Sequence, residues 1–226
     1  MAREPLSRER VLRAAVELAD GSGLDAVSMR GLAQVLGVVP MALYKHVANK
    51  DELLDGMVDA VIGEFEAPDP ALDWPDAVRA RLLSARRAVL RHAWARRAIE
   101  SRTRRTPAVL GYMDAVVGTF RRGGLSVDLT HHVMHALGNR IWGFSPELFD
   151  APADPSAPPP PAEQQRATAE EFARRFPHVL EIATAATGGD LSAVGGGCDE
   201  QFEFEFALDL LLDGVARLHG RGWRSA

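Results

Sequence analysis

Residues 28–47 read SMRGLAQVLGVVPMALYKHV, and no other stretch of this 226-residue chain restricts its fold so tightly. Ser28 can open a helix, because its side-chain oxygen accepts from an N–H that has no partner inside the first turn. Leu32, Val35 and Leu36 then share one face, and Gly37 offers the backbone freedom that commonly closes a helix. Pro40 suits the first turn of a following helix, where its missing N–H would be unpaired anyway. The pattern predicts a short helix, a glycine-centred turn and a second short helix through Val47, a helix-turn-helix layout. Two helices this short bury little area alone, so flanking helices must complete a bundle. The outer face of the second helix then fits a DNA major groove about 12 Å wide. Helical bundles that bind no DNA also contain such turns.

The flanks supply those helices. Ser7 caps a first helix with the stripe Val11, Leu12, Ala15, Leu18 and Ala19, stopped by Gly21-Ser22-Gly23. Asn49, followed by Glu52, resembles a capping box and opens a fourth helix to about Glu66. Ala67-Pro68-Asp69-Pro70 is the best domain boundary. It sets a head of residues 1–66 apart from a body of residues 67–226. Helical periodicity continues over 75–93, 95–102, 107–122 and 127–148. Residues 151–162, APADPSAPPPPA, hold six of the fourteen prolines and are expected to form a surface loop. Further helices are predicted over 163–176, 177–187 and 199–218, with a glycine-rich stretch at 188–197. Phe202 to Phe206 alternates like a strand, yet Phe202, Phe206 and Leu210 recur every four residues, so the segment is expected to be helical. The fold class is therefore all-α.

Composition excludes several classes. Hydrophobic residues make up 46% and charged residues 25%, which is ordinary for a globular protein with its own core. No apolar run approaches the roughly 18 residues of a membrane span, and MAREPLSRER lacks the apolar core of a secretory signal. The single cysteine, Cys198, precludes an intramolecular disulfide framework. These features lead to the expectation of a cytoplasmic protein with no membrane partner. The net charge is -5, but residues 1–50 carry seven Lys/Arg against five Asp/Glu, while the remainder carries 19 against 26. A mildly basic end on an acidic body suits an anionic partner there.

Residues 7–66 resemble the N-terminal domain of the TetR (tetracycline-repressor-like) family of bacterial transcriptional regulators. The similarity runs through VLRAAVELADGSGLDAVSMRGLAQVLGVVPMALYKHVANKDELLDGMVD, and its most specific block is LGVVPMALYKHVANKDELL. The resemblance implies that the protein binds a palindromic operator on double-stranded DNA as a homodimer. It also implies a repressor released by a small-molecule effector. It assigns phosphate contacts to Tyr44 and His46, and in some members a base contact to the position of Arg30. Residue chemistry adds to this. Arg30 has the forked donor set that matches a guanine edge or a phosphate. Val39, Pro40, Met41 and Ala42 open the second helix with few donors, so they would read thymine methyls and shape, unlike members with Gln or Thr there. Lys45 can reach a base or phosphate, Lys50 can meet the backbone, and Ser28 can contact phosphate or only cap its helix.

The resemblance also implies that the body dimerises and binds a ligand. The helices at 127–148 and 199–218 are the expected dimer pair. Trp94, Tyr112, Met113, Phe120, Met134, Asn139, Trp142 and Phe144 combine aromatic walls with a few polar handles, as ligand sites do. An apolar or aromatic effector is expected. His131 and His135, four residues apart, have metal-ligand spacing, but no accompanying Glu-x-x-His pattern or nearby cysteine supports a metal. With His132 they are read as interface or polar-core histidines, and His92 and His178 stay unassigned. No cofactor is expected. Gly143-Phe144-Ser145-Pro146-Glu147 is not a nucleophile elbow, and no phosphate loop follows a strand, so an enzyme is not expected. The alternative is a helical interaction module or enzyme on the same fold, with weak or lost DNA binding.

Overall fold

A computed structural model describes residues 5–142, 161–186 and 199–225. Among these, every regular element is helical: α1 Arg8–Ser22, α2 Met29–Leu36, α3 Pro40–Leu43, α4 Lys50–Gly63, α5 Trp74–Arg91 and α6 Ala95–Glu100 come first. They are followed by α7 Pro107–Arg122, α8 Val127–Trp142, α9 Ala162–Arg175, α10 Pro177–Ala186 and α11 Glu200–Gly220, with a 3-10 turn at Leu24–Ala26. No helix among the described residues is long and apolar enough to cross a membrane. The proline-rich segment before Pro161, the glycine-rich stretch and Cys198 lie outside the described residues.

Caps chosen by the sequence set the helix starts. The Ser7 hydroxyl oxygen accepts from the Arg10 N–H at 3.1 Å and that of Ser28 from the Gly31 N–H at 3.0 Å. Asn49 Oδ1 accepts from the Glu52 N–H at 2.8 Å, while Glu52 Oε2 reaches back to the Ala48 N–H at 2.7 Å. The reciprocal bond of a capping box is thus displaced by one residue, to the N–H before the cap. The Ala48 N–H holds the Glu52 carboxyl below its ordinary range, assisted by Arg8.

The chain divides into two compact units, residues 1–143 with 212–226, and residues 144–211. In the first, α4 is the hub: α1 packs on it, as do α5, α6 and α7. The approach of α1 is close enough that a Cβ at Gly56 would sit 2.5 Å from a Leu12 methyl, so an added methyl there would force the Leu12 side chain to shift. Val11, Ala15, Leu32, Leu43, Val47, Leu53 and Met57 are essentially inaccessible and form the core beneath the turn motif. Farther along, Leu82, Phe120, Leu125 and Leu137 fill the interior, with Trp74 against Phe120 at 5.7 Å between ring centres. The C-terminal segment docks on α8, where Asp128 accepts from the Ser225 N–H at 2.6 Å and hydroxyl at 2.7 Å. In the second unit, α9 and α10 pack together.

Several expected elements shift. α3 ends at Leu43 and not at Val47, because residues 44–46 unwind into turns whose N–H groups bond three residues back, as His46 does to Leu43. Val47 is buried as the pivot into α4. Val35 is exposed, and Ala33 takes its place in the α2 core. α4 stops at Gly63, short of Glu66. On α11, Phe204, Leu208, Leu212 and Val215 are the buried residues, whereas Phe202, Phe206 and Leu210 are exposed.

Candidate functional site

The turn between α2 and α3 is built from backbone hydrogen bonds. Gly37 adopts φ 65° and ψ 39°, a left-handed conformation that side chains beyond glycine strain to reach. Its N–H donates to the Gln34 carbonyl at 3.2 Å, and the Val38 N–H donates to Ala33 at 2.9 Å. This paired closure satisfies carbonyls that a simple helix end leaves bare. It also turns the chain sharply enough for Pro40 to start α3 at once.

Of the ten residues singled out from the sequence, Ser28, Arg30, Val39, Pro40, Met41, Tyr44, Lys45 and Lys50 are exposed. Ala42 and His46 are half-buried. Val39 is 67% and Met41 72% exposed, values that a core role would not produce. Tyr44 is 46% exposed, so its ring is not consumed in bundle packing. Ser28 does cap α2. Lys50 is the first residue of α4, at the end of that helix nearest the motif. Arg8 anchors the same corner, donating to Glu52 at 2.6 Å and to the His46 carbonyl at 3.0 Å.

A cavity of about 840 Å³ lies in the first unit, below the motif. That volume is within the usual range for small-molecule sites. α4 contributes Asp55, Val58 and Ile62, and α7 contributes Val109, Tyr112, Met113, Val116 and Val117. α8 contributes Thr130, His131, Met134, His135, Leu137 and Gly138. Tyr112, Met113 and Met134 thus line it, as their aromatic and thioether character suggested. Trp94 and Phe120 do not. Trp94 packs between α1 and α6, its indole N–H donating to Asp20 at 2.6 Å, and Phe120 lies in the core against Trp74. Asn139 and Trp142 fall on the last turns of α8, but their side chains and all of Phe144 lie outside the described residues.

Sequence reasoning missed the cavity's cations. Arg102, Arg104, Arg105 and Arg121 line it, against one carboxylate, Asp55. The arginine-rich run before Thr106-Pro107 was the available signal. Tyr112 is 7% exposed, and its hydroxyl has no hydrogen-bond partner among the described residues. Burial pushes its pKa up to about 12, partly offset by Arg81, whose guanidinium lies 5.1 Å from the ring centre. An unpaired buried hydroxyl costs about 1–3 kcal/mol, which a ligand atom could relieve. His131 and His135 sit 4.8 Å apart by ring centre, and no third metal-ligating side chain gathers with them among the described residues.

Two ties connect the cavity wall and the motif bundle through α4. Arg102 bonds Asp51 at 3.1 Å and Asp55 at 3.3 Å, and the Thr106 hydroxyl donates to Asp59. On the opposite flank, His92 stands between two carboxylates. Its Nδ1 is 2.8 Å from Asp20 of α1, and its Nε2 is 2.9 Å from Glu64 at the end of α4. Only the imidazolium donates from both nitrogens. Burial works against that charge, but the hydrogen bonds His92 donates to Asp20 and Glu64 outweigh it and raise the His92 pKa. Burial likewise opposes the Glu64 charge, yet Arg91 and His92 hold its pKa below the ordinary value.

Comparison with known proteins places this geometry. Residues 11–57 match the family model described as bacterial regulatory proteins, tetR family, and residues 67–218 match the tetracyclin repressor-like C-terminal domain. An HTH-type transcriptional regulator of Saccharopolyspora erythraea is 30% identical over 217 residues, covering 95% of this chain and 86% of the relative. The HTH-type transcriptional repressor DrrR1 of Streptomyces coeruleorubidus is 29% identical, over 93% of this chain and 77% of its own length. Among solved structures, ActR of Streptomyces coelicolor in complex with actinorhodin is 28% identical with a TM-score of 0.72, covering 99% of this chain and 100% of that one.

Proposed function

The chain belongs to the TetR family of bacterial transcriptional regulators, and from that premise we propose that it is a repressor, binding operator DNA as a homodimer until a small molecule in the cavity releases it. The observation that carries this reading is the course of α4. Its first residue, Lys50, stands beside the exposed face of the motif, and its Asp55, Val58 and Ile62 line the cavity. A ligand that prefers a displaced α4 moves the reading helix with it. Two reading helices held in a dimer would then no longer match half-sites a fixed number of helical turns apart. DrrR1 is named a repressor, and ActR has been solved with actinorhodin, which supports both halves of the proposal.

On α2, on α3 and in the turns flanking α3 the base-facing residues are Arg30, Val39, Pro40, Met41, Ala42 and Lys45, and Ser28, Tyr44, His46 and Lys50 hold the backbone. The exposed Phe202, Phe206 and Leu210 of α11 are the face we assign to the homodimer, together with α8. Such a row of large apolar side chains is uncommon on a surface left to solvent.

Enrichment of random duplexes on the purified full chain should converge on a palindrome, with affinity falling steeply as salt rises. Compounds that raise the melting temperature should then weaken that duplex by about 5–150-fold, and the duplex should weaken the compound by the same factor. Failure to enrich any sequence overturns operator binding. A compound that stabilises the protein yet leaves operator affinity unchanged at saturation overturns the release mechanism.

A further inference from the structure

We infer that the effector is an acid: an apolar or aromatic body carrying a carboxylate or comparable anion, whose charge is felt at α4 through Arg102. The inference rests on the cavity being the effector site. In a chain of net charge -5, this cavity gathers four arginines against a single carboxylate. Arg104 and Arg105 have no ion-pair or hydrogen-bond partner among the described residues. The wall from α7 and α8 is apolar apart from Arg121 at the end of α7, Tyr112, Thr130 and the two histidines. A neutral hydrocarbon would leave the cationic rim unused, and a highly charged sugar phosphate would leave the apolar wall unused. An amphipathic acid satisfies both, and the unpartnered Tyr112 hydroxyl gives it a polar anchor at depth.

Arg102 makes the charge consequential. Its guanidinium lines the cavity while bonded to Asp51 and Asp55 of α4. A ligand anion entering the rim offers Arg102 a third carboxylate and competes with the two that hold α4 in place. Bidentate guanidinium–carboxylate pairing is strong enough to make that exchange effective. Binding energy is thereby drawn into loosening a helix that reaches from the cavity to the motif.

The test uses two fluorescent probes with the same aromatic framework, anilinonaphthalene sulfonate and its neutral parent, phenylnaphthylamine, titrated into the full-length protein. Gly138→Phe locates the site: Gly138 lines the cavity, and a Cβ there meets nothing within 4 Å, so the substitution adds bulk at this wall with no clash at its first carbon. We expect the sulfonate to bind about tenfold or more tighter than the neutral probe, and Gly138→Phe to abolish both signals. Arg104→Gln with Arg105→Gln should weaken the sulfonate about three- to tenfold and leave the neutral probe unchanged, as for partly exposed charge pairs. Asp55→Asn should tighten the sulfonate, because it frees Arg102. Equal affinity for the two probes, or a sulfonate signal that survives Gly138→Phe, overturns the acid. Weakening by Asp55→Asn overturns the exchange at Arg102. Operator affinity of the same preparations reads the regulator independently: its absence in the unmodified protein sinks the proposed function, whereas a preference for the neutral probe sinks only the acid.

Discussion

The motif face and the cavity are built by opposite means. The face is local: Ser28, Gly37 and Pro40 each set the backbone within a few residues of themselves, and the side chains that project follow from that geometry. The cavity is assembled from α4, α5, α6, α7 and α8 and the loop before Thr106, so no short stretch contains it. A surface specified locally survives changes elsewhere in the molecule, whereas a space between helices responds to every movement of its walls. That contrast suits a protein in which one region must stay fixed on DNA while the other changes shape.

The hardest blow to the local face is removal of the one buried residue of α3. Leu43 is fully buried under α3, and Leu43→Ala should cost about 2–5 kcal/mol by cavity formation. We expect operator affinity to collapse while anilinonaphthalene sulfonate still binds. Parallel loss of both would show that the two regions do not separate.

Next comes the join between them. His92→Gln removes a bridge between two carboxylates, at about 2–3 kcal/mol for hydrogen bonds to charged groups. Because the folded pKa of His92 lies above its ordinary 6.5, its stabilisation is full below about pH 6.5 and fades as pH rises through the folded value. Glu64 runs the other way: its pKa is lowered, so its contribution is full above the ordinary 4.5 and fades as pH falls through the folded value. Melting temperature should therefore decline from mildly acidic towards alkaline pH in the unmodified protein, and His92→Gln should flatten that decline. An unchanged slope would remove His92 as its source.

A smaller effect divides the face itself. Arg30→Ala should weaken operator DNA by about 1–3 kcal/mol and random DNA by less, as for a lost base contact. Lys50→Ala should weaken both alike and reduce the salt slope by about one. Equal losses for Arg30→Ala on both duplexes would move Arg30 to the phosphate group of contacts.

What the sequence disclosed follows the same division. Ser7, Ser28 and Asn49 announced their helices because capping needs only the cap and the next three residues. Spacing could not tell which flank of an eight-residue helix is buried: Val35 and Ala33 are both one residue from the Leu32–Leu36 line, and packing of the bundle chose Ala33. On α11 the four-residue rhythm of Phe202, Phe206 and Leu210 was plain, but a second rhythm through Phe204, Leu208 and Leu212 took the interior. Trp94 was read from its ring, whereas its indole N–H and Asp20, seventy-four residues away, decide its place. The arginine run before Thr106 was visible but its role was not, for the same reason: a charged loop reads as solvated surface until the helices around it are placed.

The apolar tip of the reading helix carries one more consequence. Val39, Pro40, Met41 and Ala42 offer a base pair almost nothing to hydrogen-bond with, so on this reading thymine is recognised by its methyl group. A protein that reads methyl groups reads a chemical mark as well as a letter. Deoxyuridine in place of thymine at a contacted step should weaken binding by roughly 0.8 kcal/mol, about one buried methylene. Cytosine methylated at the same ring carbon should regain part of that contact. The operator's affinity would then depend on the methylation state of the host chromosome, a variable to which a tip of glutamine or threonine donors would be less attuned.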